Sequence, residues 1–146
     1  MNPAFAYIYD DFLSDRRFER ELAALETELA HRGIEGRVAR LAMFRSARDM
    51  ITDMARGGVR NVIVVGNDQT LEKLMWFLPD AGVTVGYITM AKPMEVADRF
   101  AIPMGPLAAD VVAARLIETL DVGKIDDRYF LTEVSLPATM ASLEIE

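Results

Sequence analysis

The residues best suited to chemistry stand in one short run, Gly66, Asn67, Asp68, Gln69 and Thr70, between the apolar stretch Val62, Ile63, Val64, Val65 and the segment Leu71, Glu72, Lys73, Leu74. A buried strand that opens through a polar turn into a helix is a common place to hold phosphate. Glycine lets an oxygen approach the backbone amides, and the helix N-terminus adds favourable partial charge. Asp68 is the candidate ligand for a magnesium ion bridging phosphates, and the Thr70 hydroxyl is a candidate donor to a phosphate oxygen. Lys92 has two readings: an ammonium that neutralises a phosphate beside this turn, or an exposed loop lysine.

The pattern around this run predicts the elements that position it. Ala4 to Tyr9 reads as a first strand, and Ser14 or Asp15 can cap a helix that buries Phe18, Leu22, Leu25 and Leu29 and ends at Gly33. Gly36 to Leu41 reads as a second strand with Val38 and Leu41 as its apolar members. Ser46 can cap a helix that turns Met50, Ile51 and Met54 inward and stops at Gly57 and Gly58. Asn61 to Val65 is apolar without alternation, which predicts a central strand covered on both faces. A helix from Asp68 to Leu78 is expected to bury Leu71, Leu74, Met75 and Leu78, with Pro79 to Gly82 turning the chain back; Trp76 and Phe77 read as core or interface residues. Val83 to Ile88 supplies a fourth strand, a short helix covers Met94 to Phe100, and Gly105 or Pro106 opens another through Ile117.

Strand and helix thus alternate as in a three-layer α/β/α open sheet, mostly parallel. Leu120 to Ile125 and Arg128 to Leu136 instead read as a C-terminal β-hairpin with exposed edges. The expected division is an α/β domain over residues 1–118, a hairpin extension over 119–136 and a tail over 137–146.

Composition narrows the function classes. A net charge of −7, from 23 acidic and 16 basic residues, offers no basic cluster suited to a nucleic acid or an anionic membrane. The absence of cysteine removes disulfides, thiolate catalysis and cysteine metal sites together. His31, the single histidine, reads as a cation at a helix C-terminus. No stretch is apolar for the roughly 20 residues of a membrane span, and no signal-peptide pattern opens the chain, so a cytoplasmic protein is expected.

The loop and its frame resemble the diacylglycerol kinases and their lipid and NAD kinase relatives. Gly66, Asp68 and Thr70 match the Gly-Gly-Asp-Gly-Thr loop of that family, whereas Asn67 and Gln69 stand where it has glycine. Thr84 to Ala97 align without a gap to the family's next strand and its Pro-Leu-Gly-Thr-Gly-Asn-Asp-Phe-Ala segment, and Ile102 and Pro103 close it. Gly86 and Ala97 keep the pattern, and Asp121, Gly123, Arg128, Tyr129 and Phe130 resemble its Asp-x-Gly and Arg-Tyr-Phe stretch. Ala91, Lys92, Pro93, Met94 and Glu95 stand where the family has Gly-Thr-Gly-Asn-Asp, so only acidic character at Glu95 remains. The Asn-Pro pair that follows the family's first strand is missing.

The resemblance covers about residues 4 to 136, the family's first domain and the opening hairpin of its second. It implies ATP phosphates against Gly66 to Thr70, magnesium at Asp68 and, in the family, phosphoryl transfer to a lipid hydroxyl. The second domain that completes the lipid site is lacking here, which implies weak or no transfer by this chain alone, as a piece of a longer protein or a shortened member with a changed task. No catalytic residue is assigned. The alternative is a non-catalytic homodimeric scaffold or regulatory module, self-associating through the hairpin edge. A phosphoacceptor receiver built on Asp10, Asp11, Asp68 and Thr89 fails on order, because Lys92 and Pro93 follow the fourth strand and not a fifth; Asp10 and Asp11 then read as a solvated turn.

Overall fold

The computed structural model describes residues 1–42, 46–114, 123–125, 128–130 and 144–145. Four parallel strands, β1 (Phe5–Tyr9), β2 (Arg37–Arg40), β3 (Asn61–Gly66) and β4 (Thr84–Thr89), form one sheet in the order β2-β1-β3-β4. The chain steps outward from β1 to β2, then crosses back to place β3 on the other side of β1. This reversal is a topological switch point, and open α/β sheets bind ligands outside the carboxyl ends of the strands there.

Helices cover both faces. On one side α1 (Glu19–His31) and α6 (Ala108–Ala114) pack over Phe5, Tyr7, Tyr9, Ile63, Val65 and Ile88. On the other, α2 (Ala47–Arg56), α3 (Asp68–Met75), α4 (Leu78–Ala81) and α5 (Glu95–Arg99) pack over Ala6, Ile8, Val62 and Val64. β3 is apolar on both sides because each side meets a helix layer. Fully buried aliphatic side chains such as Leu25 and Leu74 contribute about 1.5–3 kcal/mol each.

Local signals account for most boundaries. The Ser46 hydroxyl caps α2 by accepting from the Asp49 amide, and Gly57 and Gly58 end that helix. Asp15 caps a 3-10 turn, Arg16–Phe18, that leads into α1. Three expectations need correction. Val38 is 43% exposed whereas Ala39 is buried, so the core-facing member of β2 is the alanine. The predicted helix from Asp68 to Leu78 breaks after Met75 and restarts as α4. Pro79 cannot donate to the Met75 carbonyl, yet it fits a first turn, where no donor is needed. Asp10, read as solvated, is only 7% exposed.

Beyond α6, β5 (Gly123–Ile125) pairs antiparallel with β6 (Arg128–Phe130), the predicted hairpin, and on its other edge with β7 (Glu144–Ile145). The expected tail thus carries a strand that covers one side of the hairpin. The rest of the predicted hairpin, and the predicted helix beyond Ala114, lie outside the described residues. Among the described residues no helix is long and apolar enough to cross a membrane.

Candidate functional site

The loop from Gly66 to Thr70 sits at the switch point, where β1 and β3 end side by side. Its amides from Asn67 to Thr70 all donate within the protein. Asn67 N–H donates to Thr70 Oγ1 at 3.0 Å and Asp68 N–H to the Pro93 carbonyl at 2.9 Å. Gln69 and Thr70 N–H both donate to Asn67 Oδ1, at 3.0 and 3.2 Å. The asparagine thereby acts as the N-cap of α3, with Thr70 closing a reciprocal capping box. Its Nδ2 donates to the Lys92 carbonyl at 3.2 Å, which fastens the turn to the segment after β4.

The acidic and hydroxyl groups are committed as well. Asp68 Oδ1 accepts from the Tyr87 hydroxyl at 2.8 Å and Oδ2 from Val96 N–H at 3.0 Å, so the carboxylate joins β4 to the first turn of α5. Burial, then the bond to Asp68, raises the Tyr87 hydroxyl pKa and keeps it a donor. Thr70 is fully buried, and its hydroxyl donates to Asp10 Oδ2 at 2.6 Å. Asp10 Oδ1 accepts from Asp11 N–H at 2.7 Å, and Lys73 Nζ stands 3.4 Å from Oδ2. A Cβ on Gly66 would lie 2.2 Å from Thr70 Oγ1, so glycine is required there by this buried hydroxyl.

Of the predicted residues, Gly66, Asn67, Asp68 and Thr70 form one connected network, while the Gln69 and Lys92 side chains are exposed beside it. Asp10, Lys73 and Tyr87 belong to the same network and carry no motif. Lys73 lies three residues after Thr70 on one helix, a spacing that places both on one face. Asp10 closes the strand adjacent to β3, a placement that depends on strand order.

In this arrangement the amides from Asn67 to Thr70 have no donor to spare for a phosphate. A cradle needs free amides, and these four are spent on the Asn67 side chain, Thr70 and Pro93. Among the described residues no three histidine or acidic side chains gather as a metal site.

No family model matches this chain, and no curated protein matches it. Solved structures do. A crystal structure of a diacylglycerol kinase from Bacillus anthracis str. Sterne superposes with a TM-score of 0.74 at 16% identity, covering 88% of this chain and 46% of that one. Two further structures of diacylglycerol kinases described from the same organism give TM-scores of 0.72 and 0.73, each at 16% identity, covering 88% of this chain and 45% of theirs. The chain therefore spans about half the length of the structures it matches. At that identity the likeness establishes architecture: the chain has the fold of a diacylglycerol-kinase-like α/β domain.

Proposed function

We propose that this chain is a non-catalytic module, a diacylglycerol-kinase-like domain whose former nucleotide loop now ties strands and helices together. The observation that carries this reading is the internal use of all four amides from Asn67 to Thr70. Phosphoryl transfer depends on positioned donors, metal and acceptor, and a loop without spare donors supplies none of that alignment. Such a module acts through its surfaces, and self-association through the outer edge of β6 is part of the proposal.

A second reading is supported by position. The loop lies at the switch point, where α/β folds hold ligands, with Gln69 and Lys92 exposed at its mouth. On that reading ATP with magnesium binds at Gly66 to Thr70 after the Asn67 carboxamide swings away.

Thermal unfolding with and without millimolar ATP and magnesium separates the two, measured on the natural chain, Gln69→Gly and Asn67→Gly. The module reading expects no ligand shift in the natural chain and a melting temperature that rises with protein concentration. Stabilisation of the natural chain, about 2.7 kcal/mol when ligand is at a hundredfold over its dissociation constant, instates nucleotide binding instead. A shift confined to Asn67→Gly identifies that carboxamide as the group that closed the loop.

A further inference from the structure

Between Gly36 and Arg60 six arginines stand against two aspartates, in a chain whose net charge is −7. Arg37, Arg40, Arg48, Arg56 and Arg60 are all exposed, and none forms an ion pair with another described residue. Arg40 lies over the Tyr9 ring and Arg48 over the Phe77 ring, which orders their guanidinium groups without neutralising them. Every ion pair among the described residues lies elsewhere, at the N-terminus, between Asp15 and Arg17, between Asp10 and Lys73, or from Arg32 at the end of α1 to Glu28 and to Asp110 on α6.

Two of these arginines sit on β2, the end strand of the parallel sheet, whose one described neighbour is β1. Leu41 N–H donates to the Tyr9 carbonyl, which points residues 37, 39 and 41 toward β1. By the two-residue alternation, the N–H and C=O groups of Val38 and Arg40 face outward. Val38 adds an apolar side chain that is 43% exposed on the same edge. The opposite faces of β2 carry one arginine each: Arg37 shares a face with Ala6, and Arg40 shares one with Tyr9.

We propose that the β2 edge is a docking site for an extended acidic segment of a partner protein, added as a fifth strand. The backbone groups of Val38 and Arg40 supply the ladder, Val38 gives an apolar contact, and Arg37 and Arg40 select carboxylates on both faces of the incoming strand. The same charges disfavour a second copy of β2, because pairing two such strands across a two-fold axis sets arginine against arginine. A nucleic acid uses the guanidinium groups and leaves the outward backbone unpaired, so a ladder left open by the described residues favours a peptide. The inference is independent of whether the Gly66 loop takes nucleotide.

The test uses the whole chain and a ten-residue labelled peptide repeating Glu-Glu-Val-Val, which as a strand carries glutamates on both faces. Fluorescence anisotropy reads binding, and backbone amide hydrogen exchange reads its location. The expected result is salt-sensitive binding with slowed exchange at the Val38 and Arg40 amides, weakened about tenfold by Arg37→Ser with Arg40→Ser. With the natural chain, a peptide N-methylated at alternate residues is expected to lose binding, which tests the ladder without any substitution in the protein. Absence of binding overturns the proposal. So does binding that survives N-methylation and is matched by single-stranded DNA, since that describes a polyanion patch. Slowed exchange at Val38 and Arg40 that depends on protein concentration alone overturns it in favour of a second copy.

Discussion

Two regions of the sheet differ in how their polar groups are used. At the switch point between β1 and β3, the amides of residues 67–70, the Asp68 carboxylate and the Thr70 hydroxyl all meet protein partners. At the β2 edge, one strand away, backbone groups face outward beside arginines that pair with no carboxylate among the described residues. A satisfied polar group contributes to folding and holds little in reserve for a ligand, whereas an open one contributes little to folding and remains available. Resemblance to a binding loop and capacity to bind are therefore separate properties. The first lies in residue types, the second in which donors remain free.

The contrast can be broken most sharply at Gly66. Gly66→Ala is expected to cost about 3 kcal/mol in urea unfolding, because the added carbon must displace Thr70 Oγ1 from Asp10. A cost below about 1 kcal/mol means that the network is slack and the comparison fails.

Next in size is Tyr87→Phe, expected to cost about 1 kcal/mol at neutral pH through loss of the bond to Asp68. It also sharpens the comparison by pH. Burial raises the hydroxyl pKa values of Tyr7, Tyr9 and Tyr87 above their ordinary 10.0, with a hydrogen bond to Glu26 adding for Tyr9 and one to Asp68 for Tyr87. The folded chain therefore holds these protons more tightly than the unfolded one. Their contribution is complete below about pH 10 and is lost as pH climbs toward the folded values, each tyrosine adding up to about 1.4 kcal/mol per pH unit to the slope. Unfolding free energy measured against pH should fall less steeply above pH 10 in Tyr87→Phe; an unchanged slope removes Tyr87 from the buried network. The smallest effect belongs to the β2 edge, where Val38→Thr is expected to change stability by less than about 0.5 kcal/mol. A larger loss in the same urea assay means that this edge is already covered within the fold.

The layered α/β architecture was legible because its signals are local. An unbroken apolar run marks β3, Ser46 caps α2, and Leu22, Leu25 and Leu29 repeat at helical spacing. What escaped depends on neighbours distant in sequence. The inward residue of β2, Ala39, was not legible because a four-residue end strand bearing two arginines shows no period, and alanine signals burial weakly. At the candidate site Asn67, Asp68 and Thr70 were legible as polar residues opening a helix. Their commitments were not, since Asp10 lies 60 residues from Thr70 and Tyr87 lies 19 from Asp68. The Asn67 carboxamide illustrates the ambiguity, because one residue type serves equally to line a ligand loop and to cap a helix.

The bonds from Asn67 to the Lys92 carbonyl, from Asp68 N–H to the Pro93 carbonyl and from Val96 N–H to Asp68 have a consequence in the time domain. They couple the turn after β3 to the segment after β4, so neither can fluctuate far without releasing the other. Solvent then reaches the amides of Asp68 and Val96 through one shared opening event, and the two connections keep a common clock.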